Sequence, residues 1–399
     1  MKIERMKSNK FKTNEIAIFL TMPLKKETIT MNALLPAVLR RGTNKYPNQV
    51  EIGKQLENMY GAFFNCGIDK TGDNCILKFY IETVCDKFLP IDENLTQKAM
   101  DLINEIIFNP LTVDEGFCKE YVEQEKENLK KKIESRKDNK SLYSLNRCIE
   151  EMFENEPYGI YKYGNLIDLQ EIDEKELFDY YKKMVNESEI YIVINGVDAD
   201  KVEIPDSLDN HSVVNIKENE PLPKQEERIV NEKADVTQGK LIIGMSTPND
   251  NRFAVSLYNA VLGGGANSKL FQNVREKASL AYSAGSKYIR RKDAIFIVTG
   301  IELQNYDKTL KIIKEQIEDI KNGKVTDDEF DKAKQLIISS LNLIKESQED
   351  MIAFNYDQRL YGENLTVDEY IDKLNKVSKE KVIEVGKEIS INTIYYLEK

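Results

Sequence analysis

The chain repeats itself in outline, and that repeat limits the folds open to it more than any other feature. Leu257-Tyr258-Asn259-Ala260-Val261-Leu262 has the spacing of an apolar helix face and breaks at Gly263-Gly264-Gly265-Ala266-Asn267-Ser268. An earlier stretch follows it at a constant offset: Ala37-Val38-Leu39 matches Ala260-Val261-Leu262, Gly42 matches Gly265 and Asn44 matches Asn267. Upstream, Phe19-Leu20-Thr21-Met22-Pro23 parallels Gly244-Met245-Ser246-Thr247-Pro248. Order kept over strand, helix, glycine turn, helix and strand is the mark of an internal duplication, two halves of like fold in one chain.

Local patterning fills in both halves. In the first, a strand is expected over 16–22, a helix capped by Thr28 or Asn32 and running through Leu39, and a second helix over 50–59. A hairpin follows, 62–66 with 75–81 around Lys70-Thr71-Gly72-Asp73. Helices are expected over 95–108, about 113–136, 142–153 and 174–185, and a strong strand over 189–196 closes the half. The second half predicts a strand over 238–247, helices over 252–262 and 269–277, and a hairpin of 281–288 with 294–300. Helices follow over 306–322, 326–346 and 349–360, one or two more over 368–388, and a last strand over 393–397. Strands in one layer and helices in another define an α+β class: two homologous α/β sandwich halves, each an antiparallel-rich sheet with helices packed on one face. Pro205, Pro221 and Pro223 among charges mark a linker, which divides the chain into 1–204, 205–226 and 227–399.

Composition narrows the function classes. A net charge of −11 argues against nonspecific nucleic-acid binding. No apolar stretch near the N-terminus has the length of a signal or membrane span. Cys66, Cys75, Cys85, Cys118 and Cys148 are odd in number and show no CxxC spacing, as expected of reduced thiols in a cytoplasmic chain. The sole histidine, His211, sits in a polar stretch, so no site that needs two imidazoles can be built from this chain alone. The Gly263–Ser268 run lacks the GxxxxGK[ST] spacing of a phosphate loop and follows a helix rather than a strand. It reads as a helix-linking turn or as a loop that contacts a substrate or partner, with Gly263, Gly264, Gly265, Asn267 and Ser268 as its contact residues.

Leu262-Gly263-Gly264-Gly265-Ala266-Asn267-Ser268-Lys269-Leu270-Phe271 resembles the glycine-rich loop of the insulinase/pitrilysin family, which includes the mitochondrial processing peptidases. Arg275-Glu276-Lys277-Ala278-Ser279-Leu280-Ala281-Tyr282 resembles that family's Arg/Tyr pair. Tyr158, Gly164 and the 190–196 strand fit its first half. The resemblance implies a clamshell arrangement of the two halves. It also implies an HxxEH motif on the first-half helix, whose two histidines bind Zn²⁺ and whose glutamate activates the bound water. Here the matching positions hold Ala33, Pro36 and Ala37, and the third ligand falls at Lys131 or Lys132. None of these is a zinc ligand or general base. The expected function is therefore that of a catalytically silent peptidase homologue, not an enzyme by itself and without a metal of its own. Arg275 and Tyr282 would position a peptide or unfolded protein for a zinc-bearing homologous subunit. The stretch 33–39 with Gly42-Thr43 and Tyr46-Pro47 resembles a bacterial subgroup linked to elongation factor P modification, which implies the alternative of a non-proteolytic peptide- or protein-binding scaffold in that pathway.

Overall fold

The computed structural model describes residues 2–209, 226–248 and 251–399. His211 and most of the predicted linker lie outside the described residues. Two compact units emerge. The first holds the chain up to Ser135, the stretch 160–209 and Gln348–Tyr356; the second holds Arg136–Gly159, the stretch 226–347 and Asp357–Lys399. Neither is one continuous run of chain.

The first unit is built on five strands, β1 (Lys2–Lys7), β2 (Thr13–Pro23), β3 (Phe63–Thr71), β4 (Asn74–Val84) and β5 (Glu189–Gly196). Their spatial order is β1-β5-β2-β4-β3. Only β1 and β5 run parallel. Central β2 is buried from Asn14 to Met22, as its unbroken apolar run Ile16–Leu20 requires of a strand covered on both faces. Ile16, Ile18 and Leu20 join the core of α1 (Ile29–Leu39) and α2 (Lys119–Glu134). On the other face of β2, Phe19 meets Tyr356 from the Gln348–Tyr356 segment.

The second unit repeats the design. Its strands are β6 (Arg228–Lys233), β7 (Gly239–Ser246), β8 (Ala281–Ile289), β9 (Ala294–Ile301) and β10 (Ser390–Glu398), in the order β8-β9-β7-β10-β6. This is the first sheet's order read from the other end, with β6 and β10 as its parallel pair. The helices α3 (Lys140–Met152), α4 (Arg252–Gly263) and α5 (Asp327–Ile344) belong here. Cys148 and Met152 of α3 pack with Ile242, Phe296 and Tyr395. A side chain at Gly244 would meet the Met152 sulfur at 2.6 Å, so α3 sits almost directly on the backbone of β7.

Several expectations need correction. The long charged helix starts at Lys119, not near 113, because Asp114 and Glu115 take φ of 49° and 63° and close a small hairpin of Thr112–Val113 with Gly116–Phe117. Two consecutive left-handed residues form the turn that joins twisted strands, and that is incompatible with a helix. Strands β1 and β6 were not foreseen: their charged alternation, half exposed, is that of sheet edges rather than cores. Thr28 precedes α1 without a side-chain cap bond, and Asn32 is buried inside the helix, its Oδ1 accepting from the Tyr180 hydroxyl at 2.7 Å.

Candidate functional site

The inverted-motif positions all lie on α1. Ala33 and Ala37 lie one turn apart on α1 and are half-buried; Pro36 is buried. Pro36 sits inside the helix rather than in its first turn. Its ring removes the hydrogen bond that the Asn32 carbonyl would accept. Its own carbonyl accepts from the Arg40 backbone N–H at 3.3 Å and from the Cys66 thiol at 3.1 Å. Burial pushes that thiol up to about 12, so Cys66 stays protonated and is no thiolate ligand.

Helix α2 packs against α1. Arg41, just past α1, pairs with the buried Glu125 of α2, a contact between residues the sequence reading did not single out. Lys131 and Lys132 stand in the last turn of α2, and the Lys132 ammonium lies 4.2 Å from the Tyr163 ring centroid. Methyl groups, a proline ring, ammonium groups and a carboxylate already engaged by arginine do not form a zinc donor set. Among the described residues, no group of three or more His, Cys, Asp and Glu side chains is placed to hold a metal ion.

The glycine run closes α4 in the second unit. None of its three glycines has positive φ. Their need is steric: a Cβ at Gly263 would meet the Ser286 backbone nitrogen of β8 at 2.5 Å, and one at Gly264 would meet the Ala260 Cα at 2.6 Å. Gly265 is held more loosely, facing Leu336 of α5. The backbone approach that Gly263 permits is thus spent on seating α4 against β8. Ser268 is buried and its hydroxyl accepts from the Phe271 N–H at 3.4 Å, while Asn267 is exposed. The next residue, Lys269, was missed by sequence reading. It is buried and its ammonium donates to Glu329 at 2.9 Å, tying the loop to the first turn of α5. Glu329 also completes the Thr326 capping box, so one carboxylate serves both helix and loop. Against the opposing effect of burial, the Thr326 backbone N–H and then the Lys269 ammonium hold that carboxylate below its usual range.

Beyond the loop, Phe271–Lys277 forms a π-helical turn, a wide winding that concentrates at functional sites. Ser279 then takes φ 51° and the chain enters β8. Arg275 belongs to the π turn. Its side chain is 43% exposed, its guanidinium stacks 4.6 Å from the Phe271 ring centroid, and the Glu276 carboxylate is 3.7 Å away. Tyr282 is 81% exposed. It occupies a bulge in β8, where Ala281 pairs with Ile301 and Ser283 with Gly300, so the extra residue has no partner on β9. A tyrosine buried in a strand core, the ordinary use of that residue type, is therefore not what stands at this position. Strand β8 is the outer strand of its sheet. The segment thus presents a planar double donor on a wide helical turn and a phenol on a sheet edge, a pair suited to peptide carbonyls and carboxylates.

Residues 171–337 match the family model described as "Peptidase M16 inactive domain". The chain is 31% identical to "Probable inactive metalloprotease YmfF" of Bacillus subtilis over 402 residues, which covers 98% of this chain and 94% of the relative. The crystal structure of a conserved protein from Enterococcus faecalis V583 superposes with a TM-score of 0.87 at 29% identity, covering 98% of this chain and 95% of that one. A peptidase M16 inactive domain from Pseudomonas fluorescens shares the fold at a TM-score of 0.80 and 17% identity, covering 98% and 94%. Among the described residues no helix is long and apolar enough to cross a membrane.

Proposed function

The chain belongs to the M16 peptidase family, the insulinase-like metallopeptidases, and is an inactive homologue within it; from that premise we propose that it is the non-zinc subunit of a heterodimeric peptidase. The observation that carries the reading is the contrast between its two candidate regions. The inverted-motif positions hold Ala33, Pro36 and Ala37, whereas Tyr282 stands out on the edge of β8 with Arg275 on the turn leading into it. In this reading Arg275 holds a peptide carbonyl or carboxylate and Tyr282 donates a phenolic hydrogen bond. Of the expected contact residues in the loop Gly263–Ser268, Gly264 and Asn267 are exposed and contact the peptide or the partner, Gly265 is half-buried, and Gly263 and Ser268 are buried. Hydrolysis belongs to a homologous subunit that carries HxxEH.

The test is co-expression with such a homologue from the same host, followed by size-exclusion chromatography and a peptide-cleavage assay. The expected result is a one-to-one complex that cleaves peptides, is stopped by a chelator, and loses at least about tenfold in rate with Arg275→Ala. Stable association with bound peptide but no cleavage would replace the proposal by a non-proteolytic scaffold, with elongation factor P modification as the pathway to examine. Stoichiometric zinc in this chain alone, with chelator-sensitive hydrolysis, would overturn both.

A further inference from the structure

Three arginines of the second unit crowd around one tyrosine. The guanidinium carbons of Arg290, Arg291 and Arg252 lie 4.4, 4.6 and 5.4 Å from the Tyr361 ring centroid. All three side chains are largely buried; Arg291 is 8% exposed. Part of their bonding is accounted for. Arg252 pairs with Glu363, Arg290 with Asp357 at 3.1 Å, and Arg291 donates to the Leu360 carbonyl. The rest is not. Arg290 Nε and Nη2, Arg252 Nε, Arg291 Nε and the Tyr361 hydroxyl are buried and have no hydrogen-bond partner among the described residues. Each such orphan costs about 1–3 kcal/mol, more when the group is charged, and a buried orphan calls for a partner.

The carboxylates that face the cluster are Asp357, Glu363 and Asp293. Burial raises Asp357 above the usual carboxylate range and brings Asp293 to about 6, despite the flanking Lys292 and Arg291. Burial, and after it the neighbouring Arg290 charge, pulls Arg252 down. Arg252 is also the first residue of α4, whose N-terminal end favours an anion.

We propose that Arg252, Arg290, Arg291 and the Tyr361 hydroxyl form a binding site for a phosphoryl oxyanion. Asp357 and Glu363 already engage one donor each of Arg290 and Arg252. The unused donors come from three separate guanidinium planes and a phenol, a set matched by the several oxygens of a tetrahedral anion better than by one more carboxylate. The site is distinct from the glycine loop: Arg252 opens α4 and Gly263 closes it, so the two lie at opposite ends of a helix about 18 Å long.

Inorganic phosphate is the first probe. Its binding to the purified full-length chain is read by ³¹P line broadening and by the thermal midpoint, against chloride at matched ionic strength. Saturable binding that raises the midpoint is expected, weakened at least about tenfold by Arg290→Lys, which keeps the charge and loses the planar fork. Tyr361→Phe removes a single oxygen and is expected to weaken phosphate binding without loss of fold, so the test stands if Arg290→Lys does not fold. A phosphoserine peptide in a second arm separates a phosphoryl group carried on protein from the free ion: tighter binding of the peptide assigns the site to a phosphorylated client, and tighter binding of the ion assigns it to phosphate itself. No saturable effect with either probe, or affinity unchanged in Tyr361→Phe, overturns the proposal.

Discussion

Phe19 and Tyr356 stack face to face, their ring centroids 4.1 Å apart and their planes 6° from parallel. Phe19 points away from the core face of β2, and the partner that covers it comes from a segment more than three hundred residues later in the chain. The Tyr356 hydroxyl also bonds Thr21, the neighbouring Asn355 accepts from Tyr191 at 2.6 Å, and Gln348 accepts from Thr13 at 2.6 Å. The second face of the first sheet is thus sealed by a short length of helix. Tyr356→Ala is expected to cost about 3–5 kcal/mol in urea unfolding, the loss for deleting a buried aromatic, whereas Tyr356→Phe costs about 1 kcal/mol, one hydrogen bond. Equal losses for the two variants would show that the stack contributes little.

Glu15 sits opposite Glu82 in the β2–β4 pair and is buried. Burial first, then Glu82, Glu349 and Asp350, raise it from 4.5 to about 8. The folded chain therefore keeps a proton that the unfolded chain gives up. Its contribution to stability is complete below 4.5 and is lost as the pH rises through about 8. Glu15→Gln should remove that slope: its thermal midpoint rises above the wild-type value near pH 8 and differs little near pH 4.5. An identical gap at both pH values would rule out titration of Glu15 as the cause.

The glycine run makes a steric prediction. Gly263→Ala pushes a methyl group into the Ser286 backbone, 2.5 Å away, and is expected to destabilise by about 1–3 kcal/mol. Gly53 is a control: it lies inside the helix Gln49–Asn58 with nothing within 4 Å of an added Cβ. Gly53→Ala should gain about 0.5–1 kcal/mol. Denaturant midpoints of the two variants, moving in opposite directions from wild type, are the readout.

Tyr282 separates function from stability. An exposed residue on a strand bulge has few contacts to lose, so Tyr282→Ala should change unfolding free energy by no more than about 0.5 kcal/mol. If the proposed role is right, the same variant lowers peptide cleavage by the reconstituted pair. A large stability loss would mean that the phenol packs against the protein after all.

Much of the architecture is legible in the amino-acid sequence. The matched runs at Ala37-Val38-Leu39 and Ala260-Val261-Leu262 signal two like halves, and both sheets share one strand order. Apolar periodicity located most helices and the central strands, because burial of one face writes a period into the sequence. Periodicity failed at β1 and β6, where strands at the sheet edges carry charges, and before α2, where the left-handed Asp114 and Glu115 interrupt a stretch of helix-compatible composition. At the candidate site, the loss of zinc ligands was legible from residue identity, since Ala33, Pro36 and Ala37 offer no donor in any conformation. The exposure of Tyr282, the Lys269–Glu329 tie and the Arg41–Glu125 pair were not.

What the residue order determined by itself is therefore whatever depends on side-chain chemistry or on local spacing: the duplication, the α+β character and the absence of an imidazole-based metal site. Tertiary structure alone decided which distant residues meet. It set Tyr356 on Phe19, α3 on the backbone of β7, and three arginines around Tyr361. The physical reason is that a local period records only that a face is buried, while the group that buries it is chosen by packing among segments hundreds of residues apart.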